Sequence, residues 1–198
     1  MNKNNLLKII AQKGYDVGLG TKKHFATYDI IEKTPGWIGF VSMSVGILGL
    51  VFDELSTKTV SAIFLIVGIV SLYISFYDSR KISYEESGVE LTKLFNKLKA
   101  LYYDVKSLPE TNDVTAHIET LQEIESKYYN NSISKQILFS NWYAHYKFFW
   151  EHQIDWIDEQ LNFKFFRDKV PLSFILFIVL LIVCICTWLY LFNFTECL

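Results

Sequence analysis

Two stretches, WIGFVSMSVGILGLVF at 37–52 and VSAIFLIVGIVSLYISFY at 60–77, decide the fold, because neither contains a charged residue. Only Asp53 to Thr59 separates them, a connection short enough to force an antiparallel helical hairpin. The second stretch has 18 residues and the first 16, and about 20 apolar residues cross a hydrocarbon core. Thr34, Pro35 and Gly36 extend the first without charge, and Pro35 suits the first turn of a helix. A third charge-free run, Val170 to Phe192, has 23 residues and exceeds the spanning length by itself. The expectation is an all-α integral membrane protein: an N-terminal helical segment at 1–36, a transmembrane hairpin at 37–77, a helical bundle at 78–169, a third transmembrane helix at 170–192 and an outer tail at 193–198.

Composition agrees. Of 198 residues, 51% are hydrophobic and 20% charged, and the mean hydropathy is +0.21, an apolar surplus beyond that of an ordinary soluble domain. A net charge of -2 and an isoelectric point near 6.1 argue against a nucleic-acid binder, which carries a basic stripe. No Ala-x-Ala-like site follows the first apolar run, which sets aside a signal peptide. Basic residues flanking the spans set orientation: Lys22, Lys23, Lys33, Arg80, Lys81, Lys164, Arg167 and Lys169 lie on one side, against Lys58 on the other. The N-terminus and 78–169 are thereby expected in the cytoplasm, with the hairpin loop and C-terminus outside. Cys184 and Cys186 stand two apart in the third span and Cys197 in the tail, so no disulfide framework is implied.

In the cytoplasmic segment, Leu91, Leu94, Leu98, Leu101, Val105 and Leu108 alternate spacings of three and four. That rhythm predicts a long helix starting near Asp78 as a continuation of the second span and stopping before Pro109. Such a seam serves an intramolecular bundle or a coiled coil. A second amphipathic stretch carries Val114, Ile118, Leu121, Ile124 and Tyr128 on one face, and Asn130 to Ser132 then read as a turn. From Ile133 to Phe166 a further, aromatic-rich helix is expected. Its rings serve packing, or they form a ligand pocket from Trp142, Tyr143, His145, Tyr146 and Phe149, since ring faces stack nucleobases. Near the N-terminus Gly14, Gly18 and Gly20 read as a flexible joint before a second helix, since no strand-to-helix context makes them a phosphate loop.

No phosphate-binding, zinc-protease, Cys-x-x-Cys or nucleophile-elbow motif occurs, so no catalytic residue, metal site or cofactor is assigned and the chain is not read as an enzyme. His145, His152, Asp155 and Glu159 fall on one helical face, a row that serves as a solvated face or as metal ligands. The hairpin is more informative. Gly39, Ser42, Gly46 and Gly49 form one stripe, and Ser61, Gly68, Ser71 and Ser75 another. Such stripes allow close helix packing, or line a hydrated path when several hairpins assemble. Asp53 and Glu54 then ring the outer mouth, with Asp78 and Arg80 at the inner one.

The segment Lys22-Lys23-His24-Phe25-Ala26-Thr27-Tyr28-Asp29-Ile30-Ile31-Glu32-Lys33, followed by Gly36-Trp37, the long helix from Arg80, and Trp142-Tyr143-Ala144-His145-Tyr146-Lys147-Phe148-Phe149 together resemble the SLATT domains. These are two-transmembrane effector domains associated with SMODS nucleotidyltransferases and SLOG sensors in bacterial conflict systems. The similarity covers most of residues 20–192 and extends to a subgroup with an added C-terminal span. It implies a homo-oligomer in the bacterial inner membrane that opens a pore or disrupts the bilayer upon infection. It also implies a separate nucleotide-signal synthase or sensor as partner. The alternative is a non-conducting membrane anchor or scaffold that recruits a soluble signalling partner through 78–167.

Overall fold

Helix α1 runs unbroken from Lys3 to Leu48, 46 residues, roughly 70 Å at 1.5 Å per residue. The computed structural model describes residues 2–110 and 112–196, the last six as backbone, and every regular element among them is helical. After a 3-10 turn at Asp53–Leu55 come α2 (Lys58–Ser75), a second 3-10 turn (Asp78–Arg80) and α3 (Lys81–Ser107). Then follow α4 (Thr115–Asn131), α5 (Ser140–Trp150), α6 (Asp155–Leu161) and α7 (Leu172–Glu196).

α1 is the hub, packing against each helix from α2 to α6. Its first two-thirds lie antiparallel to α3. Lys3 donates to the Leu108 carbonyl at 2.6 Å at one end, and Lys81 bonds Glu32 at 2.5 Å at the other. The leucine seam of α3 closes this contact, with Leu91, Leu94, Leu98, Leu101 and Val105 all buried. The seam therefore serves an intramolecular bundle. α4 returns alongside, held by Asp104–His117 at 3.0 Å and Lys13–Glu125 at 3.0 Å. On the opposite flank α5 and α6 add Phe148 and Trp156, both nearly inaccessible to solvent.

Two features of α1 differ from the sequence expectation. The glycines near the N-terminus do not loosen α1; they hold rings. A Cβ on Gly14 would stand 2.3 Å from the Trp156 ring, and one on Gly18 2.6 Å from Phe148 and 2.7 Å from Phe95. Gly88 of α3 receives Phe25 in the same way, at 3.0 Å. Burial of those aromatic faces offsets the entropy that a helical glycine loses. Pro35 likewise does not start a helix but lies inside α1, which continues through the boundary expected at residues 36 and 37. The missing Pro35 N–H leaves one gap in a ladder otherwise maintained on both sides.

The aromatic stretch at 133–166 is also not one helix. Residues 133–138 are non-helical, α5 stops at Trp150, and α6 restarts at Asp155. The single face assumed for His145, His152, Asp155 and Glu159 is therefore broken. His152 packs its ring on Phe95 at 4.9 Å, while Glu159 bonds Lys106 at 2.7 Å. Among the described residues no group of three His, Cys, Asp or Glu side chains is placed to hold a metal ion.

Among the described residues two helices are long and apolar enough to cross a membrane: Lys58–Ser107, whose apolar part is α2, and Leu172–Tyr190. Outward-facing apolar side chains continue onto the last turns of α1, where Trp37 is 66% exposed and Leu50 beyond them 87%. Soluble monomers rarely expose apolar surface on this scale. Cys184 and Cys186 are free and exposed on α7; Cys197 lies outside the described residues.

The ring contacts predict opposite outcomes for two glycine substitutions. Gly14→Ala gains about 1 kcal/mol of helix propensity but displaces the Trp156 ring, for a net loss of about 1–3 kcal/mol. Gly46→Ala, with nothing within 4 Å of the added atom, holds or raises the melting temperature. Thermal unfolding of both variants in detergent, followed by circular dichroism, checks the pair.

Candidate functional site

The hairpin joins the bundle through a small cluster separate from the main core: Ile31 of α1, Ile74 and Tyr77 at the end of the second span, Tyr84 of α3, and Ile137. The non-helical segment 132–139 straps these parts together. His24 holds the strap to α1. Its Nδ1 donates to the Gly20 carbonyl at 2.7 Å and its Nε2 accepts the Ile133 backbone N–H at 3.0 Å. That pair of contacts defines the neutral Nδ1–H tautomer, because a protonated Nε2 would meet another N–H. One turn further, the Thr27 hydroxyl donates to Gln136 Oε1, and Gln136 Nε2 donates to the Ile133 carbonyl at 2.6 Å. The Tyr84 hydroxyl donates to the Lys135 carbonyl, and the Leu138 N–H donates to the Tyr73 hydroxyl at 3.3 Å. Four side chains from three helices thus satisfy backbone and amide groups of a strap that forms no helix of its own.

Ion pairs brace the same level. Asp29 of α1 accepts from Lys33 and from Lys147 of α5, each at 2.6 Å. Burial pushes its carboxyl up, but the Lys147 and Lys33 ammonium groups outweigh this and hold it below the usual range. Trp142 Nε1 donates to Ser173 Oγ of α7 at 3.0 Å, and its ring meets Phe174 and Phe177 at 5.2 and 5.3 Å. α5 is thereby the link between the bundle and the third apolar helix.

The aromatic residues proposed for a ligand pocket take different surroundings. Trp142 faces α7, Tyr143 lies under the Lys147 ammonium at 4.5 Å, and Tyr146 is exposed. Phe149 packs on Phe163 at 5.1 Å, and His145 lies against Phe149 at 5.7 Å with its Nδ1 buried and unpartnered. On the hairpin, Gly39, Gly46 and Gly68 face open space. Ser42 and Ser71 are half-buried, and Ser61 and Ser75 are exposed with their hydroxyls turned to Thr57 and Leu72 carbonyls. Gly49 caps α1 close to the Leu55 carbonyl. Asp53 and Glu54 are exposed in the loop turn, while Asp78 and Arg80 sit in the turn at the far end of α2, about 27 Å away by helix rise. The acidic pair and the Asp78–Arg80 pair therefore stand at opposite ends of the hairpin.

The strap's attachments were not foreseen. His24 lies 109 residues from Ile133, and no local spacing signals such a bond. Gly14 and Gly18 did leave a trace, since Ala11, Gly14 and Gly18 form a small-residue ridge at helical spacing.

An exposed apolar hairpin carried on a polar helical bundle defines a class of all-helical membrane protein. The model of SMODS and SLOG-associating 2TM effector domain 6 matches residues 1–178, so the chain belongs to this SLATT family. Membership implies a membrane effector role in defence systems, and the family description names SMODS and SLOG as its associates. No curated protein and no solved structure matches the chain.

One buried imidazole, His24, and two half-buried ones, His145 and His152, make the bundle sensitive to acid. Burial lowers His24, with Lys23 adding to the effect against the Gly20 carbonyl. Burial also pushes His145 and His152 down to about 4, assisted by Lys23 and by Lys22 and Lys99 respectively. The fold keeps all three neutral, whereas the unfolded chain takes up their protons near 6.5. Their stabilisation is complete above that pH and is lost as pH falls below it, for His145 and His152 down to about 4. The melting temperature in detergent should decline over this window. His24→Ala, which leaves the Ile133 N–H without its acceptor, should cost about 1–3 kcal/mol at pH 7.5 and flatten the decline.

Proposed function

We infer that the chain is the membrane-acting component of a bacterial antiphage system, an inner-membrane homo-oligomer that opens a pore or disrupts the bilayer when its bundle is triggered. The observation that carries this reading is the open stripe on the hairpin. Gly39 and Gly46 of α1 and Gly68 of α2 meet nothing within 4 Å of a built Cβ, on helices whose apolar side chains face outward. In lipid, rows of small residues draw helices together through close backbone contact. One chain leaves these rows unfilled, and neighbouring copies supply the complementary surface.

The reading has three spans: the apolar end of α1, α2, and α7. The basic flanks put the N-terminus and bundle in the cytoplasm and the C-terminus outside. This reading assigns the two spans of the family description to the hairpin and adds α7, of which the family match reaches only the first turns, to residue 178. Gating follows from α1 itself, which belongs to both the bundle and the hairpin. A trigger opens the assembly only by binding the open arrangement better than the closed one. A separate nucleotide-signal synthase or sensor supplies that trigger, in keeping with the SMODS and SLOG association. The protein performs no catalysis and takes no nucleic acid in this scheme.

The test is conductance of the purified protein in planar bilayers, with and without cyclic nucleotides and the cytosolic partner. Stepwise currents are expected, and Gly46→Leu, which crowds the open stripe, should abolish them while leaving the bundle's melting temperature unchanged. Silence from inserted protein with its partner bound would overturn the pore and favour a non-conducting scaffold.

A further inference from the structure

Between α1, α2 and the strap lies a cavity of about 510 Å³, within the range of small-ligand sites. Its walls include Ile30 and Thr34, Val70 and Tyr73, and Leu138 and Phe139. The lining is almost wholly apolar; the polar atoms at its edge are the Thr34 and Tyr73 hydroxyls. A cavity of this kind does not hold ordered water, which needs several polar partners. Its α2 wall belongs to the charge-free run, in the last turns before Asp78 and Arg80, so the opening lies where hydrocarbon gives way to headgroups.

Two further observations identify the occupant. Phe139 holds a left-handed backbone, φ 68°, which is unfavourable for a bulky side chain. This strain sets its ring at the cavity wall and against Trp142, 4.8 Å away. Backbone strain of this kind concentrates where a ligand is held. At the tyrosine edge, Tyr73 and Tyr77 hydroxyls stand 3.4 Å apart, and the Lys135 ammonium lies 5.2 Å over the Tyr77 ring. Arg80 caps α3 one helical turn before Tyr84, whose hydroxyl bonds the Lys135 backbone. Among the described residues neither Lys135 nor Arg80 has a carboxylate partner, whereas Lys33, Lys81 and Lys147 at the same level do.

We propose that this cavity binds one anionic phospholipid, an acyl chain entering between α1 and α2 and the phosphate resting on Lys135 and Arg80 beside the Tyr73–Tyr77 hydroxyls. The lipid then becomes part of the joint between hairpin and bundle. The proposal rests on the membrane placement of α2, not on conduction.

The full chain is reconstituted in nanodiscs of phosphatidylcholine with or without phosphatidylglycerol of the same chains. It is then released into mild detergent and weighed by native mass spectrometry. Insertion is the first readout and tests the membrane reading; lipid retention is the second and tests the site. One phosphatidylglycerol per chain should survive. Lys135→Gln, on an exposed side chain, should weaken retention about fivefold, the effect of one interfacial cation. Val70→Trp, which fills the cavity, should abolish it for both headgroups. Inserted protein that retains both lipids equally, or whose retention ignores both substitutions, overturns the proposal. Displacement by soluble glycerophosphate alone would reduce the site to a phosphate contact and overturn the chain's part. A dimer that Val70→Trp dissolves would make the cavity an interface between copies and overturn it outright.

Discussion

The close approach of aromatic rings to the glycines of α1 is the contact on which the rest depends. Trp156 lies on Gly14, and Phe148 and Phe95 on Gly18, at distances that no side chain of α1 would permit. These contacts bring α3, α5 and α6 to one rod and fix their axial positions along it. Everything nearer the membrane inherits that register, including the strap on His24, the ion pairs on Asp29 and the placing of α2 beside the apolar end of α1. Removing one ring would leave a void in a core where side chains fill space at crystal-like density.

The sequence disclosed those parts whose signal is local. The hairpin, the seam of α3 and the apolar run of α7 follow from charge-free length or from three–four spacing, both properties of a single helix. The unity of α1 was not legible, because glycine and proline ordinarily punctuate helices and here tertiary packing overrides them. The break between α5 and α6 was hidden by continuous aromatic content, and with it went the apparent row from His145 to Glu159. The strap was least visible, since its bonds join residues more than a hundred positions apart. Of the small residues on the hairpin, Gly39, Gly46 and Gly68 keep an open face while Gly49 does not, and the aromatic group on α5 disperses among α7, solvent and the core.

In the proposed reading, function is distributed along the chain rather than concentrated in a reactive centre. The polar groups that are buried serve to secure irregular backbone, as His24, Thr27 and Gln136 do, and the unusual backbone at Phe139 lies at the base of the hairpin. That pattern suits the mechanical role proposed above, in which a bundle changes state and a membrane element responds. For the coupling proposed above, SLATT membership provides the biological setting and the continuous helix offers a physical path.

Pro35 gives that path a particular mechanical character. With one rung of the hydrogen-bond ladder absent at the level where bundle gives way to hairpin, the helix bends there more readily than elsewhere. It still turns as one piece, because the covalent backbone and neighbouring rungs carry twist across the gap. α1 therefore behaves as a drive shaft with a compliant coupling. In the gating proposed above, the bundle would swing against the bilayer surface without levering the hairpin sideways, while rotation about the common axis would pass through and re-aim the open glycine face.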